Sequence, residues 1–331
     1  MMFMSRHGGG RVLRAFALAS AIALAAGGLA LAVRAEAATA PAVQTAFASD
    51  RLSVEVSGAG PDVILIPGFA SSREVWRAEA SRLAATHRVH LVQLAGFAGE
   101  PWTHGDGPFV APVVGELARY VRQAGLERPA VIGHSMGGLT GVLLAQGHPE
   151  LVGKVMSVDS LPFFSAMFGA QATAESARPF AAQAAAGILA ADEAGFRAQQ
   201  AQTAIGMARD PATREAMVAW SMASDRRAMA AAIREVMTTD ARPGLADMST
   251  PVWAIYASDA DGGAPAAMAD ALWAREYAAL PGVRLVRVDG ARHFIMADQP
   301  ARFAELVDQF LADQAAGSGS KAGVTSPALS S

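Results

Sequence analysis

The chain has no cysteine among its 331 residues. That excludes disulfides, thiolate catalysis and cysteine-ligated metals, and it leaves the compartment open. Lysine is nearly missing as well: of 27 basic residues, all but Lys154 and Lys321 are arginine. The arginines are scattered, so they make no basic patch of the kind that grips nucleic acid. Charged residues are 17% of the chain, hydrophobic residues 52%, and the formal net charge is −3. A chain of this length and composition can bury the core of one large α/β domain or two small ones. There is no His-Glu-x-x-His spacing for a metal and no glycine-rich dinucleotide loop, so neither a metal nor a cofactor is expected. No internal repeat is present.

The two ends differ from the middle. Arg6, His7, Arg11 and Arg14 precede an apolar run over residues 15–33, and Ala35-Glu36-Ala37 offers small residues for cleavage. Basic, apolar and small-residue regions in that order read as a secretory signal peptide over residues 1–40. An uncleaved membrane anchor is the alternative, since a bilayer needs about 20 apolar residues. Either way the rest of the chain is expected outside the cytoplasm, periplasmic or secreted, or anchored and facing outward. Residues 316–331 are small and polar, without periodicity, and read as a disordered tail.

Between the ends, apolar runs alternate with helical patterns. Residues 63–66, 89–94, 130–133, 152–158, 251–256 and 283–288 read as buried strands. Ser71 and Glu74 give a capping-box pattern ahead of a helix carrying Trp76, Ala80 and Leu83 on one face. Val110, Val113, Val114, Leu117 and Val121 mark an amphipathic helix near 108–124, and Phe303, Leu306, Val307 and Phe310 a final one. Such alternation implies a mostly parallel sheet with helices on both faces. It stops over residues 163–245, where the pattern is helical only, with starts at Asp210-Pro211 and Ser224. The expected organisation is therefore a core in two parts, 41–162 and 246–315, interrupted by a helical cap that roofs the strand ends. The cap's methionines, Met217, Met222, Met229 and Met237, read mainly as core packing.

The chemistry centres on Gly133-His134-Ser135-Met136-Gly137. This Gly-x-Ser-x-Gly follows a strand and opens a helix, the setting that presents a serine on a sharp turn. A serine hydroxyl needs a base, and the base needs an orienting acid. Of seven histidines, His7 lies in the leader, and His87, His90 and His104 precede the motif. His134 should point away from the hydroxyl, and His148 reads as a helix C-cap. His293 alone lies after them, beyond the last strand, and is the expected base. For the acid, Asp259 follows the strand at 251–256 and ranks first; Asp261 and Asp159, also at strand ends, are the alternatives. The oxyanion donors are expected to be the N–H groups of Met136, at a helix N-terminus, and Phe69, in the turn Pro67-Gly68-Phe69-Ala70.

In this order the pieces resemble the α/β-hydrolase family, from about residue 50 to 315. The stretches Gly133-His134-Ser135-Met136-Gly137-Gly138 and Gly290-Ala291-Arg292-His293-Phe294 resemble its serine esterase-like members. The order Ser, Asp, His matches that family and not the chymotrypsin or subtilisin orders. Two departures stand out: Pro67-Gly68 replaces the usual His-Gly, and Ala257-Ser258-Asp259-Ala260-Asp261 replaces the usual strand-end Gly-x-x-Asp. The resemblance implies an α/β-hydrolase fold with an inserted cap and hydrolysis through an acyl-enzyme, without cofactor. The expected function is an exported serine hydrolase of an ester, thioester, lactone or amide. Acyl transfer and non-catalytic binding on the same fold are the alternatives. The expected partner is a small molecule with an apolar acyl group; a membrane enters only if the leader is uncleaved.

Overall fold

The computed structural model describes residues 44–313. The leader at 1–40 and the tail at 316–331 lie outside the described residues. Among the described residues eight strands form one sheet: β1 (Gln44–Ala48), β2 (Leu52–Ser57), β3 (Asp62–Ile66), β4 (Arg88–Leu94), β5 (Ala130–His134), β6 (Lys154–Val158), β7 (Val252–Ser258) and β8 (Arg284–Asp289). The α-helices among the described residues are α1 (Arg77–Leu83), α2 (Val110–Gln123), α3 (Met136–Gly147), α4 (Ala174–Ala190), α5 (Glu193–Met207), α6 (Pro211–Ala223), α7 (Arg226–Thr238), α8 (Ala266–Glu276), α9 (Ile295–Asp298) and α10 (Pro300–Ala312).

The strand order is β1-β2-β4-β3-β5-β6-β7-β8. β2 pairs antiparallel with β1 and β4, and every other pairing is parallel. From β3 the chain steps one way to β4 and then back past β3 to β5. The connections after β3 and β5 therefore diverge, leaving a crevice at the carboxyl ends of these two strands.

The central strands are apolar throughout because both faces are covered. Ile64, Ile66, Val131 and Val155 point into one core with α2, α3 and α8. Their neighbours Val63, Leu65, Ile132 and Met156 point into the other, with Trp76, Ala80 and Leu83 of the α1 region and Phe303, Leu306, Val307 and Phe310 of α10. Each fully buried side chain of this kind contributes about 1.5–3 kcal/mol. Lys154, at the start of β6, reaches across to α10 and donates from Nζ to the carbonyls of Phe310, Leu311 and Asp313 at 2.6, 2.8 and 2.9 Å. A cation on the last carbonyls of a helix satisfies acceptors that have no intrahelical donor.

Helices α4 to α7 lie between β6 and β7, with α4 packed on α7 and α5 on α6. Their starts are chemical. Asp210 accepts from Thr213 N at 2.7 Å, with Pro211 opening α6. Ser224 does not cap α7; Asp225 does, accepting from Arg227 N and Ala228 N. The Ser224 hydroxyl instead accepts from Ala98 N at 2.9 Å and donates to Trp220 O. Similarly, Ser72 rather than Ser71 caps the turn before α1, accepting from Glu74 N.

Candidate active site

Ser135 sits between the end of β5 and the start of α3, with φ 54° and ψ −124°. A non-glycine residue at positive φ is strained, and surrounding structure must hold it there. Its N–H donates to Val158 O at 2.9 Å, and its carbonyl accepts from Gly138 N at 2.8 Å. The flanking glycines are required by close approach. A Cβ on Gly133 would lie 2.1 Å from Gly137 O, and one on Gly137 would lie 2.4 Å from Ile66 O. The turn therefore lies hard against the end of β3. From that end Gly68 meets it: a Cβ there would stand 3.0 Å from Ser135 Cβ. Phe69 follows, its ring edge-on to Phe97 at 5.5 Å between centroids. The Met136 N–H opens α3, where no intrahelical acceptor exists, so it is free to face an anion.

His293 follows β8. Its Nδ1 is 2.7 Å from Asp159 Oδ2. Asp159 is the residue after β6, in a left-handed conformation with φ 44°. Its N–H donates to Ile255 O at 2.8 Å, and its Oδ1 accepts from Ala257 N at 2.9 Å, so β7 fixes the carboxylate. Below it, the buried Tyr277 hydroxyl donates to Ser160 O at 2.9 Å and bonds Ser157 Oγ, bracing the same turn.

This corrects the ranking of the acids. Asp259, placed first from the sequence, does not meet His293. Its carboxylate is taken by two guanidiniums, Arg292 Nε at 2.8 Å and Arg209 Nη1 at 2.9 Å. Arg292, with Arg209 beside it, holds the Asp259 carboxyl below the usual carboxylate range. Asp261 is 82% exposed and 3.9 Å from Arg209. The reason is register: Val158 pairs with Ile255, so β6 ends three residues before β7 does, and its following aspartate comes out beside the end of β5, where Ser135 N bonds Val158 O.

His134 has a part that its sequence position did not suggest. It is buried, and its Nε2 donates to the His293 carbonyl at 2.9 Å. Its ring lies 4.5 Å from that of His293, between centroids, and packs on Phe294 and Trp76. Burial, reinforced by the adjacent His293, pushes its pKa far below the ordinary imidazole value. It is therefore neutral, and with the proton on Nε2 its buried Nδ1 has no partner among the described residues. The signal available in the sequence was only its place beside Ser135.

Ser135, Asp159 and His293 line one cavity of about 780 Å³, together with Gly68 and Phe69. The roof comes from α5, α6 and α7, including Met207, Met217 and Met237. Exposed Met167, Phe168 and Met268 also line it. The charged groups on its wall are already paired: Asp159 with His293, Asp259 with Arg292, and Arg275 with Glu276. Among the described residues no cluster of three or more His, Asp or Glu side chains is placed to hold a metal.

The sequence model of the alpha/beta hydrolase family matches residues 63–306. The Pimeloyl-[acyl-carrier protein] methyl ester esterase of Aeromonas hydrophila subsp. hydrophila is 28% identical over 260 residues, which cover 78% of this chain and 99% of that enzyme. The protein of the same name from Edwardsiella ictaluri is 28% identical over 258 residues, 76% of this chain and 94% of its own. Among solved structures, the enol-lactonase from Burkholderia xenovorans LB400 is similar with a TM-score of 0.66 at 19% identity, over 79% of this chain and 96% of that one. With the matched span running from β3 into α10 and enclosing the whole cavity, the chain belongs to the alpha/beta hydrolase family.

Proposed function

We propose that the protein is an exported serine hydrolase of carboxylic esters. The observation that carries this reading is the His293 Nδ1 to Asp159 Oδ2 contact of 2.7 Å on the cavity that also holds the strained Ser135. Asp159 keeps the proton of His293 on Nδ1, which leaves Nε2 as a base. That nitrogen takes the Ser135 proton as Oγ attacks the ester carbonyl. The N–H groups of Phe69 and Met136 receive the oxyanion, each worth about 2.7–4 kcal/mol in the transition state. Collapse expels the alcohol, which takes the proton back from His293. Water, activated by the same nitrogen, then frees the acid and restores Ser135.

An acyl part without charge fits the walls, where apolar side chains prevail, methionines, phenylalanines and alanines foremost, and the ionic groups are already paired. The ester-hydrolase names of the curated relatives support the reaction class. The basic, apolar and small-residue leader supports export. The test is twofold. A fluorophosphonate probe should label the purified protein at Ser135, and a series of p-nitrophenyl esters should be cleaved. No labelling together with no turnover across the series would sink the proposal.

A further inference from the structure

Both neighbours of His293 are held by the cap. Phe294 N donates to Met207 O at 3.1 Å, and Arg292 Nη1 donates to Ile205 O. Asp298 accepts with both oxygens: Oδ1 from Arg209 N and Asp210 N at 2.8 and 3.0 Å, Oδ2 from Arg292 N at 2.8 Å. Asp259 repeats the pattern with side chains, joining Arg209 of the cap to Arg292 beside the base at 2.9 and 2.8 Å. The Asp259 carboxylate is 6% exposed and Arg292 15%, while Arg209 is 45% exposed, so the link to Arg292 is the covered one. The segment at 205–210, the end of α5 and the turn into α6, thus grips residues 292, 294 and 298. A carboxylate bridging two segments fixes their distance and angle far better than apolar contact does.

Resting on the serine-hydrolase reading above, we propose that this corner of the cap positions the catalytic base. Asp298 and Asp259 are the positioning residues, so covering the cavity and setting His293 are one structural event. The cap is then part of the proton-transfer apparatus and not only a wall for substrate. The core side of the base is held separately, by Asp159 and by His134.

The test is steady-state kinetics on a p-nitrophenyl ester. Asp298→Ala, which leaves three amides without their acceptor, should lower kcat on the order of 10- to 100-fold while KM stays within about twofold. Asp298→Asn, which keeps one oxygen, should fall between it and the parent and serves if the alanine variant does not fold. A pH profile separates positioning from mere stability. Asp159 from β6 contacts the His293 ring and His134 from β5 packs against it; the charged groups on the segments beside it are Arg292 on its own loop, Asp259 after β7, which pairs with Arg292, and Arg209 from the cap, which pairs with Asp259. Neutralising Asp259 leaves Arg209 and Arg292 without their counter-charge, which disfavours the imidazolium. In Asp259→Asn the acid limb of kcat/KM should therefore move to lower pH, and adding Arg209→Gln should move it part of the way back. An unchanged kcat and profile with only a lower Tm would overturn the proposal, as would a raised KM at constant kcat. Ser135→Ala is measured alongside: retained turnover there would instead overturn the serine mechanism itself.

Discussion

At the scale of single residues, the assignments differ in what their removal should do. Ser135→Ala should remove turnover almost entirely, by about 10⁶ in kcat, with the fold intact. Asp159→Asn should cost about 10⁴, because the amide leaves His293 in the wrong tautomer. Asp259→Asn should stay well above that level; an equal or larger loss would restore Asp259 as the acid. The proposed oxyanion donors are backbone groups, so Phe69→Ala should keep most of kcat while Phe69→Pro, which removes the N–H, should not. Equal rates for the two Phe69 variants would exclude that donor. That Ser135 and His293 would line one site was legible in the sequence for local reasons: the glycines that a crowded strand-to-helix turn demands, and a single histidine beyond the last strand. Which aspartate meets His293 was not. Asp159, Asp259 and Asp261 each follow a strand, and the pairing of Val158 with Ile255, which ends β6 three residues before β7, separates the aspartate that reaches the imidazole from those that do not. Sheet register of that kind is written in no single segment.

At the scale of elements, the buried strands and the core-facing helices followed from apolar runs and 3.6-residue periodicity. The hairpin of β1 and β2 did not, because neither strand is a wholly apolar run. Yet Leu52 and Val54 are buried and alternate with half-buried Ser53 and Glu55, a period of two that marks a strand with one face on the core and the other less covered. Helix starts were legible to within one residue, because Ser224 and Asp225 are both good caps and only the Ala98 contact separates them. Asp225→Ala should lower stability by about 0.5–2 kcal/mol, measurable by urea denaturation. An unaffected midpoint would show that α7 is held by its packing on α4 alone.

At the scale of the whole molecule, stability should depend on pH in two windows. His134 is held neutral in the native state and titrates normally when unfolded, with His90 depressed by burial in the same direction. The unfolded chain therefore binds more protons below about pH 6.5, and stability should fall as pH drops through that range. The lowered carboxyls of Asp259 and Asp62 extend the loss below about pH 4, as protonation breaks their pairs with arginine. Thermal melts from pH 8 to 4 should show Tm declining from the first window onward, and His134→Gln should flatten part of that slope. A Tm constant down to pH 5 would contradict the buried neutral histidine.

Lys154 carries one more consequence. The lysines are at 154 and 321, the latter outside the described residues. Lys154 opens a strand in the middle of the sheet, its ammonium spent on three carbonyls of the last helix. A protease that cuts only after lysine can reach this bond only when β6 leaves the sheet and α10 lets go, which is global opening. Scission at 154 would thus time the unfolding of the core, while movements confined to the cap would leave no trace in the digest.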